Sequence, residues 1–244
     1  MELIEEPELT PGLIRDRYDR LLGSLRTVAQ EAGRDPEGFR VVAVTKGFGV
    51  PVVRAALEAG LTSLGENRVQ EAGPKVEAAP DADWHLVGRL QSNKVRPALR
   101  LFGTIHSVDS LELLERIERI AHDDGHRPRL LLQLKVADEP GRAGFALDWF
   151  ATEAAAGGRL VAGLGALRHA QVIGLMAMAA HDAGEAEHQF AMVRHLRDEL
   201  QQSSGLPLPE LSMGMTSDAE AAVRQGATLL RIGTAIFGPR PEHH

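Results

Sequence analysis

The chain contains no cysteine. That absence excludes a disulfide framework, a thiolate nucleophile and any zinc site built on sulfur, and it fits a reducing compartment. Aromatic residues are sparse too, with two tryptophans, seven phenylalanines and a single tyrosine, Tyr18, among 244 residues. No stretch approaches the roughly 18 apolar residues that a membrane helix needs. The opening Met1-Glu2-Leu3-Ile4-Glu5-Glu6-Pro7 is acidic where a secretory signal would be basic, so a cytoplasmic protein is expected. Positive charge is in deficit: 27 Lys and Arg against 34 Asp and Glu give a formal net charge of -7, which argues against a broad nucleic-acid or anionic-membrane footprint. Small molecules are the expected partners. Their chemistry must come from Lys, Arg, Ser, Thr, His and the backbone.

What the chain does have is alternation. Thr10-Pro11 reads as a helix cap followed by proline at the first helical position, and Ile14, Tyr18, Leu21, Leu22, Leu25 and Val28 recur on one helical face up to Gly33. Short apolar runs then fall at Arg40 to Thr45, Leu61 to Gly65, Trp84 to Gly88, Gly103 to Val108, Arg129 to Val136, Val172 to Met178, Glu210 to Met213 and Thr228 to Ile232. Helical patterns separate them at Val52 to Ala59, Asn67 to Ala78, Ser110 to Ala121, Glu185 to Gln202 and Ala219 to Gln225, and the stretch from Ala151 to Ala170 is the least regular. Strands alternating with helices imply parallel pairing, and eight such units at this length favour an α/β chain closed into a (β/α)8 TIM barrel with an extra N-terminal helix. One domain spanning residues 1–244 is expected. The final Glu242-His243-His244 is consistent with a purification-tag remnant and is left out of site reasoning.

In such a barrel the active face lies at the C-terminal ends of the strands. Lys46 follows the first apolar run, where burial and nearby positive charge would favour the neutral amine that carbonyl attack requires. In the loops after the seventh and eighth strands, suited to phosphate, Gly214 and Gly233 permit close backbone approach, Ser212 and Thr234 offer hydroxyl donors, and Thr216, Ser217 or Asp218 can cap the helix that follows. Ordinary turn and capping chemistry is the alternative reading of either loop alone. Arg231 alternates with Ile232, so its guanidinium can face the barrel mouth. Being only a donor, it would keep a pyridine nitrogen beside it unprotonated and weaken that ring as an electron sink. An ion pair with a barrel carboxylate is the structural alternative.

These residues resemble the pyridoxal phosphate homeostasis proteins, also called proline synthetase co-transcribed homologs. The resemblance runs from the first helix to Gly238 and is carried by Val44-Thr45-Lys46, Gly65-Glu66-Asn67-Arg68-Val69-Gln70-Glu71, Trp84 through Lys94, Gly174-Leu175-Met176, Leu211 through Met215 and Arg231 through Gly238. It implies a barrel like the N-terminal domain of alanine racemase, the fold type III pyridoxal phosphate architecture, with the cofactor held as a Schiff base on Lys46. It further implies phosphate contacts from Ser212, Gly233 and Thr234, Arg231 at the pyridine nitrogen, and Asn67 and Met176 lining the pocket. The implied role is intracellular vitamin B6 homeostasis, with transient contact to pyridoxal phosphate-requiring enzymes. Two stretches depart from the family pattern: Leu134-Lys135-Val136, where the family often has Asn, and Arg142-Ala143-Gly144-Phe145, where Arg142 keeps a cation in place of lysine.

The competing readings are an amino-acid racemase-like enzyme on the same barrel and a barrel enzyme for a phosphorylated metabolite that uses no pyridoxal phosphate. A two-base racemase of the alanine racemase type needs a tyrosine opposite the lysine, whereas Tyr18 lies in the first helix, so a non-enzymatic role is favoured. No metal site is expected. His181, His188 and His195 are seven residues apart, about 10 Å along a helix axis, too far to share an ion, and His122 and His126 flank a helix end. His85 reads as a satisfied core histidine, and Gly163-x-Gly165 lacks the rest of a dinucleotide fingerprint.

Overall fold

The structure is a computed structural model that describes residues 9–137, 141–180 and 182–239. His181 and the C-terminal histidines considered above lie outside the described residues. The elements run α1 (Pro11–Glu31), β1 (Arg40–Val44), α2 (Val50–Glu58), β2 (Ser63–Glu66), α3 (Val69–Ala78), β3 (Asp83–Leu86), a 3-10 turn (Ser92–Lys94), α4 (Val95–Leu101), β4 (Thr104–Val108), α5 (Leu111–Asp124) and β5 (Arg129–Lys135). They continue with β6 (Phe145–Ala146), α6 (Leu147–Glu153), α7 (Arg159–Ala166), β7 (Gln171–Ala177), α8 (Ala183–Ser204), β8 (Glu210–Ser212), α9 (Ala219–Arg224), β9 (Leu229–Ile232) and α10 (Thr234–Phe237).

Eight parallel strands close on themselves in the order β1, β2, β3, β4, β5, β7, β8, β9, with β9 returning to β1 through the register Val41 to Leu230 and Ala43 to Ile232. All eight expected runs are barrel strands. The two-residue β6 is an addition that pairs with the end of β5. The irregular stretch around Gly157-Gly158 is two short helices, α6 and α7, joined by a turn.

Closure sorts the side chains by parity, since alternate residues of a strand face opposite sides. A large apolar cluster fills the layer between barrel and helices, with Ala43, Leu64, Leu86, Ile105, Leu132, Leu175, Leu211 and Ile232 supplied by the strands. A smaller one, Val42, Val44, Val87, Leu131, Ile173, Met176 and Leu229, fills the barrel interior. That interior is only partly apolar. His85, His106, Gln133, Ser212 and Arg231 are buried there as well.

Helix α1 starts as the sequence implies, with Thr10 Oγ1 accepting from the Leu13 N–H at 3.3 Å and Pro11 at the first position. It buries Ile14, Leu25, Val28 and Ala29 and packs on α2, α9 and α10, covering the seam where β9 meets β1. Among the described residues no helix is long and apolar enough to cross a membrane.

Candidate functional site

The site begins at the end of β1. Val42 and Val44 face the barrel interior, so the same parity carries Lys46, two residues on, to the mouth. Thr45 faces the opposite way, into a buried ion pair. Its hydroxyl donates to Glu66 Oε1 at 2.5 Å, and Lys75 Nζ donates both to that oxygen at 2.5 Å and to the Thr45 carbonyl at 2.9 Å. Glu66 and Lys75 are 0% and 5% exposed, so this pair from β2 and α3 braces the backbone behind Lys46 out of reach of water.

Lys46 opens onto a cavity of about 550 Å³ at the C-terminal end of the barrel, within the size range of cofactor sites. Asn67, Val87, Gly88 and Arg89 form one wall; Gln133, Gly141, Arg142, Ala143 and Met178 form another; Met215, Thr216, Ser217, Arg231, Gly233 and Thr234 complete it. Four described lining side chains are cationic, Lys46, Arg89, Arg142 and Arg231, and none of the described ones is acidic. Among the described lining residues, cationic side chains and hydroxyls thus converge at one mouth, a combination that suits an anionic group.

The wall opposite Lys46 is built by the divergent Arg142 stretch. Gln133 Nε2 donates to the Ala143 carbonyl at 2.8 Å, and Arg142 Nη1 donates to the carbonyls of Met178 and, at 3.0 Å, Ala179. Gly144 makes this return possible, because at φ +140° a Cβ there would stand 2.7 Å from the backbone nitrogen of Lys135. Across the cavity, Asp218 pins the loop after β8 by accepting from the Met215 N–H at 2.5 Å. That bond leaves Thr216 and Ser217 on the cavity wall.

Five of the seven residues expected at the site line this one cavity: Lys46, Asn67, Arg231, Gly233 and Thr234. The other two do not. Ser212 is the last residue of β8, fully buried inside the barrel, with its Oγ 2.7 Å from both His106 Nδ1 and Arg231 Nη1. The hydroxyls that stand where a phosphate could reach them are those of Thr216, Ser217 and Thr234. Met176 is 1% exposed in the interior apolar cluster, and Met178, two residues further along the same face, is the methionine at the cavity. Gln133 and Met178 were not anticipated, because each has meaning only once neighbouring strands are in register.

Arg231 is 5% exposed, and burial lowers its guanidinium below its ordinary value to about 10, against the opposing charge of Asp218. It stays a cation at neutral pH. His85, read from sequence as a satisfied core histidine, has both ring nitrogens engaged, Nδ1 with His106 Nε2 at 2.8 Å and Nε2 with Asp83 Oδ2 at 2.9 Å. A donor set of one amine, one buried guanidinium and clustered hydroxyls in a single cationic cavity fits a ligand that combines an aldehyde, a pyridine nitrogen and a phosphate. Among the described residues no cluster of three metal-ligating side chains occurs.

Comparison with known proteins identifies the family and the fold. The model of the alanine racemase N-terminal domain family matches residues 18–241. A pyridoxal phosphate homeostasis protein of Synechocystis is 36% identical over 210 residues, covering 84% of this chain and 93% of its own. One of Pseudomonas aeruginosa is 38% identical over 230 residues, covering 93% and 96%. The solved structure of PipY from Synechococcus elongatus with pyridoxal phosphate bound is 41% identical, covers 92% of this chain and all of its own, and superposes with a TM-score of 0.78. Alanine racemase of Clostridium difficile, at 14% identity and a TM-score of 0.68, shares the fold.

Proposed function

The chain belongs to the pyridoxal phosphate homeostasis proteins, within the alanine racemase N-terminal domain family, and from that premise we propose that it binds pyridoxal 5'-phosphate on Lys46 and serves intracellular vitamin B6 homeostasis. The observation that carries this is the convergence of Lys46, Arg231, Gly233 and Thr234 on one cationic cavity. When bound, the cofactor supplies an aldehyde that a primary amine can capture reversibly, forming a carbon–nitrogen bond and releasing water.

In this reading Lys46 is the nucleophile, and the Glu66–Lys75 pair fixes its backbone from behind. Thr216, Ser217 and Thr234 hydroxyls and the Gly233 backbone hold the phosphate. Ser212 acts one layer deeper, on Arg231 rather than on the phosphate. Arg231 donates toward the ring nitrogen and, as a cation that offers only donors, leaves that nitrogen unprotonated. A ring so placed is a poor electron sink, which favours holding the cofactor over turning over an amino acid. The position of Tyr18 supports the same preference: the chain's sole tyrosine is on α1, outside the barrel, against a separate surface cavity with Phe39 and Leu61. Supply of the cofactor to enzymes that need it would then be by transient contact.

The test is an absorption spectrum of the purified protein with added pyridoxal phosphate, followed by borohydride reduction and peptide mass mapping. A red-shifted band and a reduced adduct on Lys46 are expected. A spectrum unchanged from free aldehyde, with no adduct, would leave the cationic cavity to a phosphorylated metabolite held without a covalent bond. Turnover of alanine or serine enantiomers well above that of free cofactor, lost in Lys46→Ala, would instead support the racemase-like reading.

A further inference from the structure

We propose that Asp83, His85, His106 and Ser212 form a positioning relay, a directional line of hydrogen bonds through the barrel interior that holds the Arg231 guanidinium in one orientation at the floor of the cavity. The inference rests on the cavity being a pyridoxal phosphate site; it adds Asp83, His85 and His106, which no strand-end argument assigns, and gives Ser212 a role behind the cavity.

The direction follows from counting donors. A guanidinium only donates, so at 2.7 Å the Ser212 oxygen accepts from Arg231 Nη1, while Nη2 donates to the Ala177 carbonyl at 2.9 Å. The Ser212 proton is then available to His106 Nδ1, 2.7 Å away. His106 is fully buried, and burial first, with the nearby charges of Arg231 and Arg129, pushes it well below the ordinary imidazole range. A neutral ring that accepts at Nδ1 carries its proton on Nε2, which lies 2.8 Å from His85 Nδ1. His85 accepts there in turn and donates from Nε2 to Asp83 Oδ2 at 2.9 Å. The line ends on a carboxylate, and Arg129 secures that carboxylate at 2.7 Å.

The opposite direction strands a proton at one end and demands an extra one at the other. If His106 Nδ1 donated to Ser212, the hydroxyl proton would lose its acceptor. His85, donating from Nδ1, would then present a lone pair to the Asp83 carboxylate unless it took a second proton. Asp83 and Arg129 begin β3 and β5, so the relay is anchored at the N-terminal face of the barrel, where their side chains are 33% and 40% exposed. It crosses the interior on β3, β4 and β8 to reach Arg231 on β9. Such a chain limits the rotation of a long side chain that would otherwise be held by only one carbonyl.

Histidine 15N shifts of the labelled, ligand-free protein test the relay without any cofactor. Protons on Nε2 of both His85 and His106 at neutral pH are expected, and a proton on Nδ1 of His106 would overturn the proposal. A second measurement titrates pyridoxal phosphate by absorbance into His106→Leu and His106→Asn, the latter keeping an acceptor oxygen near the Nδ1 position. His106→Leu should weaken binding about five- to tenfold, the size of one lost hydrogen bond, and shift the pH midpoint of the visible band; His106→Asn should recover most of both. Equal affinity and equal midpoint in His106→Leu and the unaltered protein would sink it. If the unaltered protein takes up no cofactor at all, the functional reading fails, while the tautomers still judge the relay.

Discussion

Gly88 lies directly against the backbone of Asn67: a Cβ added to it would stand 2.2 Å from the Asn67 carbonyl oxygen and 2.7 Å from its Cα. Both residues line the cavity, and the obstruction is main chain, which cannot rotate away. Gly88→Ala should therefore force β2 and β3 apart at the mouth, costing about 1–3 kcal/mol as an overpacking change. Urea unfolding measures that cost. Cofactor titration of the same variant should show weaker uptake, whereas unchanged stability and uptake would mean the two loops separate more easily than the contact implies.

The Glu66–Lys75 pair makes a sharper demand on stability. Lys75→Met leaves Glu66 buried with Thr45 as its remaining partner, and breaking a buried pair on one side typically costs about 3–5 kcal/mol. Replacing both, as Glu66→Leu with Lys75→Met, removes the stranded charge and should recover much of that loss. Equilibrium urea unfolding of the single and double variants separates the two outcomes. A double variant as unstable as Lys75→Met would show that the hydrogen bonds to Thr45, and not the uncompensated charge, hold this end of β1.

Much of this architecture is legible in the residue order because each barrel strand is buried on both faces and reads as a short apolar run. What stayed hidden is either short or relational. Helices α4 and α10 and strand β6 are too brief for a periodic pattern, and α4 also carries Pro97. Lys46, Arg231, Gly233 and Thr234 could be placed from strand ends alone. Ser212 could not, since residing on the last strand residue rather than in the following loop puts its hydroxyl inside the barrel. Met176 and Met178 share the inward face, and only depth along the barrel, with Met176 paired beside Gln133 in the interior, leaves Met178 as the one that reaches the cavity. His106 gave no signal because its partners, His85 and Ser212, are 21 and 106 residues away along the chain.

The two methionines should therefore respond differently to truncation. Met176→Ala removes a side chain that is 1% exposed within the interior cluster, and should cost about 2–5 kcal/mol through cavity formation. Met178→Ala, at the cavity wall, should cost less and act mainly on ligand affinity. Paired thermal unfolding and cofactor titration decide the assignment. The reverse pattern would place Met176, not Met178, against the ligand.

Asp83 gives the barrel a stability term with a defined pH window. Its hydrogen bond from His85, the largest cause, together with the charge and hydrogen bond of Arg129, lowers the folded carboxyl from 3.8 to about 2, against a burial penalty that acts in the opposite direction. A depressed folded value means that the unfolded chain binds the proton first as pH falls. The stabilisation is therefore complete above the unfolded value and is lost as pH drops through the folded one. Asp83→Asn should reduce stability at pH 6, and its deficit relative to the unaltered chain should shrink between about pH 4 and pH 2. Urea unfolding of both proteins across that range is the measurement. A deficit that stays constant to pH 2 would mean that the lost interaction is independent of the carboxylate charge, and that the far end of the relay is held by shape rather than by the Asp83 anion.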